Sequence, residues 1–179
     1  MLTSEALSHQ RGYLLPTEVA ALKELADSLP PFPSAVNVGA GVGTSGLALM
    51  EARKDLRLYS VDNVQASLDA EQEAFGRAGM KSIIRYIQML GDSHEIASAW
   101  LGRGFRPVHL IFIDDGHTYP EVAGDIEKWL PNLTPGGIMG FHDYRNNWDI
   151  GVGQAVDEGM AGQQQIMLVE GLIAFKVLS

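Results

Sequence analysis

The chain has 179 residues, of which 46% are hydrophobic and 20% are charged, and this size and composition predict one globular domain with a substantial core. It has no cysteine, which excludes disulfides, thiolate metal sites and cysteine nucleophiles. The formal net charge is −9 and the basic residues are scattered, so the basic face of a nucleic-acid binder is missing and a small-molecule partner is expected instead.

The N-terminal stretch "MLTSEALSHQRGYLLP" lacks the apolar core and cleavage site of a signal peptide. No apolar run approaches roughly 20 residues, the length of a membrane-spanning helix. We therefore expect a cytoplasmic protein without membrane contact. The next segment, "PTEVAALKELADSL", has apolar residues at helical spacing after Pro16 and Thr17, which predicts an amphipathic helix that prolines 30–33 end. Residues 1–30 are thus an N-terminal helical segment ahead of a core over 34–179.

Strands and helices alternate through that core. The predicted strands are "SAVNVG", "LRLYSVD", "SIIRYIQML", "VHLIFID" and "GGIMGFHDY", separated by helical segments. The closing "QIMLVEGLIAFKVL" has two apolar runs joined at Glu170 and Gly171, which predicts a β-hairpin whose last strand runs antiparallel. The expected fold is α/β and Rossmann-like: a seven-stranded, mostly parallel sheet with an antiparallel last strand and helices on both faces.

The stretch "SAVNVGAGVGTSGLAL" contains two overlapping glycine patterns. Counted from Gly39 it reads G-x-G-x-G, typical of an S-adenosylmethionine site, and counted from Gly41 it reads G-x-G-x-x-G, typical of NAD binding. Because the first strand is predicted to end at Val38, the turn begins at Gly39, and Gly46 would lie in the next helix. This register and the closing hairpin favour the first count, since dehydrogenase sheets are normally all parallel.

Acidic residues follow the second and third predicted strands. Asp62 ends "LYSVD", 19 residues beyond Gly43, where a carboxylate can accept both hydrogen bonds of a ribose diol. Asp92 can contact adenine directly or through Ser93, and it also forms a capping-box pattern with Glu95. These residues support an adenosine cofactor without choosing between the two glycine counts.

The fourth and fifth predicted strands end in a second polar cluster, in "IFIDDGHTY" and "GFHDYRNNWD". Both ends belong to the same rim of the sheet as the glycine turn, so we expect five side chains there to converge on a metal site or on acid–base chemistry. They are Asp114, Asp115, His117, His142 and Asp143. By contrast, His109 lies inside its strand and is interpreted as a packed core residue.

Together, "VNVGAGVGTSG", "YSVDN", "GDS", "IFIDDGHTYPEVAGDIEKWLPNLTPGGIMGFHDY" and "GVGQAVDE" resemble the class I S-adenosylmethionine-dependent methyltransferases. Within them, the sequence is similar to the small-molecule O-methyltransferase-like group related to macrocin-type O-methyltransferases and cephalosporin hydroxylase-like proteins. The resemblance implies His117 as base, Asp114 as catalytic residue, and Asp114, His142 and Asp143 as ligands of a divalent metal such as Mg²⁺. The cofactor contacts that it implies are Asn37, Gly39, Ala40, Gly41, Gly43, Asp62, Asn63, Asp92, Ser93 and Asp114.

Two positions depart from that group. Its members usually carry an acidic residue two positions before the first glycine, where this chain has Asn37, and its metal-binding members have two adjacent carboxylates, where this chain has His142 and Asp143. The alternatives to a methyltransferase are a non-catalytic binder of S-adenosylmethionine or S-adenosylhomocysteine, and an NAD-dependent oxidoreductase.

The acceptor pocket is expected from the N-terminal segment, the 144–150 loop or a second subunit, which makes a homo-oligomer an open alternative. Candidate wall residues follow the fourth and fifth strands on the same rim. They are Tyr119, Tyr144, Arg145 and Trp148.

Overall fold

The structure, a computed structural model, describes residues 1–11, 13–80, 84–145 and 151–178. Within these ranges the α-helices are Ser4–Arg11 (α1), Pro16–Asp27 (α2), Thr44–Ala52 (α3), Gln65–Arg77 (α4), Ser93–Ala99 (α5), Tyr119–Trp129 (α6) and Gly151–Gly159 (α7). The strands are Ser34–Val38 (β1), Arg57–Asp62 (β2), Tyr86–Leu90 (β3), Val108–Ile113 (β4), Leu133–Phe141 (β5), Gln164–Val169 (β6) and Leu172–Lys176 (β7).

The strands form one sheet in the order β3-β2-β1-β4-β5-β7-β6. Among the strands of the described ranges, only β7 runs against its neighbours, pairing antiparallel with both β5 and β6. The closing hairpin turns between Val169 and Leu172, as predicted. The predicted Rossmann-like fold is therefore confirmed. Strand order reverses beside β1, which pairs with both β2 and β4, and ligands of open α/β sheets bind at such a point.

Alternating residues of the buried strands supply two cores, one on each face of the sheet. In β1, Ala35 packs with α1 to α4, whereas Val36 and Val38 pack with α5 to α7. Burial on both faces is why the central strands are almost wholly apolar. Asn37, with no exposed surface, is therefore an exception that requires explanation.

Local signals explain where two of the helices begin. α2 starts with Pro16, and the carboxylate of Glu18 accepts a hydrogen bond from the Leu15 N–H at 2.8 Å. At α6 the Glu121 carboxylate accepts hydrogen bonds from the backbone and the hydroxyl of Thr118, at 3.0 and 2.7 Å. These caps fix the residues at which α2 and α6 start.

Two strands differ from their predicted limits. The third begins at Tyr86 rather than Ser82: Ile84 is in a turn and 87% exposed, so the apolar run there is not buried, and residues 81–83 lie outside the described ranges. The fifth begins earlier, at Leu133, with a register shift against β4 before Ile138. No helix in the described part of the chain is long and apolar enough to cross a bilayer.

Candidate functional site

The loop between β1 and α3 is a tight glycine turn. Gly39, Gly41 and Gly43 all have positive φ, at 88°, 51° and 91°, a region that favours glycine. A Cβ on Gly39 would lie 2.2 Å from the carbonyl oxygen of Asp114, so the turn passes directly against the end of β4. The geometry thus agrees with the count that starts at Gly39.

Gly46 has a packing role instead. It lies inside α3, and a Cβ there would lie 1.9 Å from a carboxylate oxygen of Glu71 and 3.2 Å from the ring of Phe75. Both residues belong to α4, so Gly46 permits close contact between two helices, whereas sequence analysis expected helix–strand packing. Nothing about its position requires a ligand.

Asn37 supports the glycine turn from behind rather than facing the cavity. Its Nδ2 donates to the carbonyl oxygen of Gly39 at 3.2 Å and to Glu71 at 3.4 Å. In the described chain no group hydrogen-bonds to its buried Oδ1. Asn37 was predicted to contact the cofactor, but its side chain has no exposed surface.

Glu71 is a fully buried carboxyl group that sequence analysis missed. The Tyr86 hydroxyl donates to it at 2.7 Å. Burial raises the pKa of Glu71 to about 7, although the hydrogen bonds from Tyr86 and Asn37 oppose the shift. A sequence signal did exist, because Glu71 lies between Leu68 and Phe75 on the apolar face of α4.

The carboxylate of Asp62, at the end of β2, holds the glycine turn. Its Oδ2 accepts from the backbone N–H groups of Ala40 at 2.9 Å and Gly41 at 3.4 Å, and its Oδ1 accepts from Val64 at 2.8 Å. Asp62 thus lies beside the turn, as its spacing predicted. A ribose diol would have to share an already bonded carboxylate.

The remaining predicted adenosine contacts lie farther along the same rim. Asn63 is exposed, whereas Asp92 caps α5 by accepting from the Glu95 N–H at 3.0 Å. The hydroxyl of Ser93 donates to Asp125 at 2.5 Å and accepts from the Trp129 indole at 2.8 Å. The side chain of Ser93 is therefore committed to the protein interior, which disfavours the predicted contact between its hydroxyl and adenine.

The ends of β4 and β5 bring together Asp114, His142 and Asp143, as predicted. Nδ1 of His142 lies 3.0 Å from Oδ1 of Asp114 and 3.3 Å from Oδ2 of Asp143. Asp143 has a φ of 56°, which is uncommon for a residue other than glycine and is frequent at functional sites. Asp115, also expected here, is absent from the described lining of the cavity.

His142 makes a further contact that sequence analysis did not foresee. Its Nε2 lies 3.0 Å from Oε2 of Glu18, which is buried and comes from α2 in the N-terminal segment. Burial opposes protonation, but hydrogen bonds to Asp114, Asp143 and Glu18 raise the pKa of His142 to about 12. One imidazolium thus lies among three carboxylates, and a metal ion that binds there would have to displace the proton on Nδ1.

The three residues predicted to bind metal fit a divalent cation. Their ligand atoms all lie within 4.8 Å of one another. Ligands at about 2.1 Å on adjacent octahedral positions lie about 3.0 Å apart, close to the two spacings around Nδ1 of His142. Two carboxylates and one imidazole form a mixed oxygen and nitrogen donor set.

His117 stands on the opposite side of Asp143. Its Nε2 lies 2.9 Å from Oδ2 of Asp143, and its side chain is 53% exposed. Because a carboxylate only accepts hydrogen bonds, Nε2 carries the proton in the neutral ring and Nδ1 keeps its lone pair. The contact therefore leaves Nδ1 of His117 available to accept a proton.

A cavity of about 470 Å³ connects the glycine turn with this cluster. Such a volume is typical of small-molecule sites. Its lining comes from the N-terminal segment, the turn, α4 and the ends of β4 and β5, and consists of Tyr13, Leu14, Gly39, Ala40, Gly41, Val42, Thr44, Ser45, Ala66, Ser67, Ala70, Asp114, His117, His142 and Asp143.

The two tyrosines expected in the acceptor wall hold α7 instead. The hydroxyl of Tyr119 donates to Glu158 at 2.6 Å, and that of Tyr144 donates to Asp157 at 2.7 Å. The described lining of the cavity includes neither Tyr119 nor Tyr144, nor Arg145. Trp148 and most of the 144–150 loop lie outside the described residues.

Residues 36–144, more than half of the chain, match a family model described as a methyltransferase domain. A protein from Corynebacterium glutamicum has a similar structure, with a TM-score of 0.76, 16% identity, and coverage of 98% of this chain and 88% of that one. The O-methyltransferase TomG from Streptomyces achromogenes, in complex with S-adenosylmethionine, is also similar, with a TM-score of 0.74, 17% identity, and coverage of 98% of this chain and 88% of that one. For the S-adenosylhomocysteine-bound methyltransferase PaMTH1 from Podospora anserina the TM-score is 0.74 and the identity is 18%, with coverage of 98% of this chain and 86% of that one. No curated protein matches the sequence.

Proposed function

Because the chain belongs to the family of methyltransferase domains, we propose that it transfers the methyl group of S-adenosylmethionine to a hydroxyl group of a small molecule. The observation that carries the proposal is the pair formed by His117 and Asp143, which lines the same cavity as the glycine turn. A hydroxyl acceptor must lose a proton, and this pair is placed to take it.

The glycine turn would hold the cofactor. The backbone of Gly39, Ala40 and Gly41 borders the cavity, and Asp62 lies beside it for a ribose. Gly43, Asn63 and Asp92 complete the proposed contacts along the rim. When bound, S-adenosylmethionine supplies an activated methyl group, so the protein's task is to position the acceptor, which can contribute roughly 7–11 kcal/mol.

His117 would accept the acceptor's proton at Nδ1. The carboxylate of Asp143 holds the Nε2–H and stabilises the imidazolium that forms. At 53% exposure the ring lies within reach of a ligand and of solvent, to which the proton can pass. Asp114, His142 and Asp143 would hold a divalent cation, which when bound lowers the pKa of a hydroxyl.

The N-terminal segment would supply part of the acceptor pocket. Tyr13 and Leu14 line the cavity, and Tyr13 is 64% exposed, so its ring is available for an apolar acceptor. With these residues in place, the cavity has a wall that does not depend on a second subunit. The net charge of −9 further supports a diffusible small molecule, and we infer a cytoplasmic site of action.

Calorimetry with S-adenosylmethionine, S-adenosylhomocysteine and NAD tests the cofactor. Methyl transfer to a panel of small hydroxyl compounds, with and without a divalent cation, tests the activity. Binding of the first two ligands together with turnover supports the proposal. Binding without turnover on any acceptor would favour a non-catalytic binder, and exclusive binding of NAD would contradict the proposal.

A further inference from the structure

Glu18 is the one carboxylate of this cluster that comes from outside the carboxyl ends of the strands. It lies 124 residues from His142 in sequence, and only 3% of its side chain is exposed. Two backbone groups hold its side chain in place: Oε2 also accepts from the Leu15 N–H at 2.8 Å, and Oε1 accepts from the Gly171 N–H at 2.8 Å. The residue therefore links α2 and the closing hairpin to the site.

This anchored carboxylate determines how the His142 ring is presented. A carboxylate only accepts, so the Nε2 facing Glu18 must carry hydrogen. Nδ1 is then the nitrogen that faces Asp114 and Asp143, at 3.0 and 3.3 Å, and a cation bound between these groups would take the place of the Nδ1 proton that the two carboxylates otherwise accept. Histidine ligands of protein-bound metals are generally oriented in this way, by a carboxylate or carbonyl that holds the other ring nitrogen.

We propose that Glu18 is a positioning residue that presents Nδ1 of His142 as a metal ligand, so that the site prefers a transition-metal ion such as Co²⁺ to Mg²⁺. The proposal rests on the proposed function only in assigning Asp114, His142 and Asp143 to a divalent cation. Mg²⁺ is bound mainly through oxygen and keeps several waters, whereas imidazole favours later first-row ions. When His142 is oriented in this way, the site offers a nitrogen ligand to the metal ion. Two adjacent carboxylates at positions 142 and 143 would offer only oxygen.

Calorimetric titration with Co²⁺ and with Mg²⁺ tests the proposal on the full chain. The wild type should bind Co²⁺ more tightly than Mg²⁺, and visible absorption of bound Co²⁺ should report nitrogen ligation. Glu18→Gln should lose about 10- to 100-fold in Co²⁺ affinity, the usual cost of removing such an orienting contact. Glu24→Gln, the same change at an exposed position of α2, should leave both affinities unchanged.

A double-mutant cycle separates positioning from a general structural effect. His142→Asn should abolish the preference for Co²⁺, and adding Glu18→Gln to it should cause no further loss of Co²⁺ affinity. A full additional loss in the double variant would mean that Glu18 acts on stability alone. If Glu18→Gln does not fold, His142→Asn still decides, because a retained Co²⁺ preference would overturn the proposal.

Failure of this inference differs from failure of the proposed function. The metal inference is overturned if the chain does not bind Co²⁺ and methyl transfer continues in the presence of a chelator. The proposed methyltransferase activity would then still stand. Tight Co²⁺ binding without any binding of S-adenosylmethionine would overturn the proposed function and leave the metal inference standing. A wild type that prefers Mg²⁺ also overturns the inference.

Discussion

The side chains of His117 and Asp143 meet at the rim of the cavity, with 2.9 Å between Nε2 of the imidazole and Oδ2 of the carboxylate. Asp143 also lies 3.3 Å from Nδ1 of His142, so one carboxylate contacts two imidazole rings, of which that of His117 is exposed and that of His142 is buried. The exposed ring is suited to proton transfer, whereas the buried ring is held in place by carboxylates on both of its nitrogens.

Replacing His117 should therefore separate chemistry from binding. His117→Ala should lower kcat by about 10²- to 10⁴-fold, the usual contribution of a general base, while the affinity for S-adenosylmethionine stays near that of the wild type. Steady-state kinetics and calorimetry measure the two quantities. His9→Ala, at an exposed position of α1, is the matched control and should change neither. Full activity of His117→Ala would remove the base from the proposed mechanism.

The glycine turn offers a pair of matched substitutions. Gly39→Ala should cost more than about 3 kcal/mol of unfolding free energy, because its Cβ would overlap the backbone of Asp114, just after β4, and because alanine is strained at a positive φ. Gly41→Ala should cost only about 1 kcal/mol, since a Cβ there meets no described atom within 4 Å. Because Gly41 also borders the cavity, the added methyl group should weaken cofactor binding. Urea unfolding and calorimetry test both, and equal stability losses would contradict this account of the turn.

Asp62 should contribute to both stability and binding. Asp62→Ala would leave the backbone N–H groups of Ala40 and Val64 without their acceptor, at a cost of about 1–3 kcal/mol. If the same carboxylate also binds ribose, affinity for S-adenosylhomocysteine should fall at least about tenfold. Asp69→Ala, at an exposed position of α4, is the control. A variant that binds like the wild type would contradict the predicted ribose contact.

Glu71 should make stability depend on pH. Its pKa in the folded chain is about 7, above the ordinary 4.5, so the folded state holds an extra proton between these values. Stability therefore falls as pH rises through that window, by roughly 3 kcal/mol in total. Glu71→Gln lacks this penalty, so its stability relative to wild type should rise from pH 5 to pH 8.

Chemical unfolding at the two pH values measures that difference. Glu73→Gln, the same change at an exposed position of α4, should show no such pH dependence. An advantage of Glu71→Gln that is equal at pH 5 and pH 8 would mean that Glu71 ionises normally in the folded chain.

The fold and the family were predictable because their signals are local or repetitive. The alternation of strands and helices determined the sheet, and the match of residues 36–144 to a methyltransferase domain confirms the predicted family. The polar residues after β4 and β5 were predictable as a cluster, since parallel strands end at one rim. His117 and Asp143 are 26 residues apart in sequence and still meet for this reason.

The sequence alone determined the order of elements, the register of the glycine turn and the rim on which the polar residues lie, because each depends on neighbouring residues or strand direction. Only the tertiary structure decided that Glu18 holds His142, that Glu71 lies beneath the turn and that Ser93 faces inward. These contacts join elements distant in the chain, and burial changes the charge that a carboxyl or imidazole carries. Apart from the place of Glu71 on the apolar face of α4, no local pattern encodes that burial, which arises when helices close over the sheet.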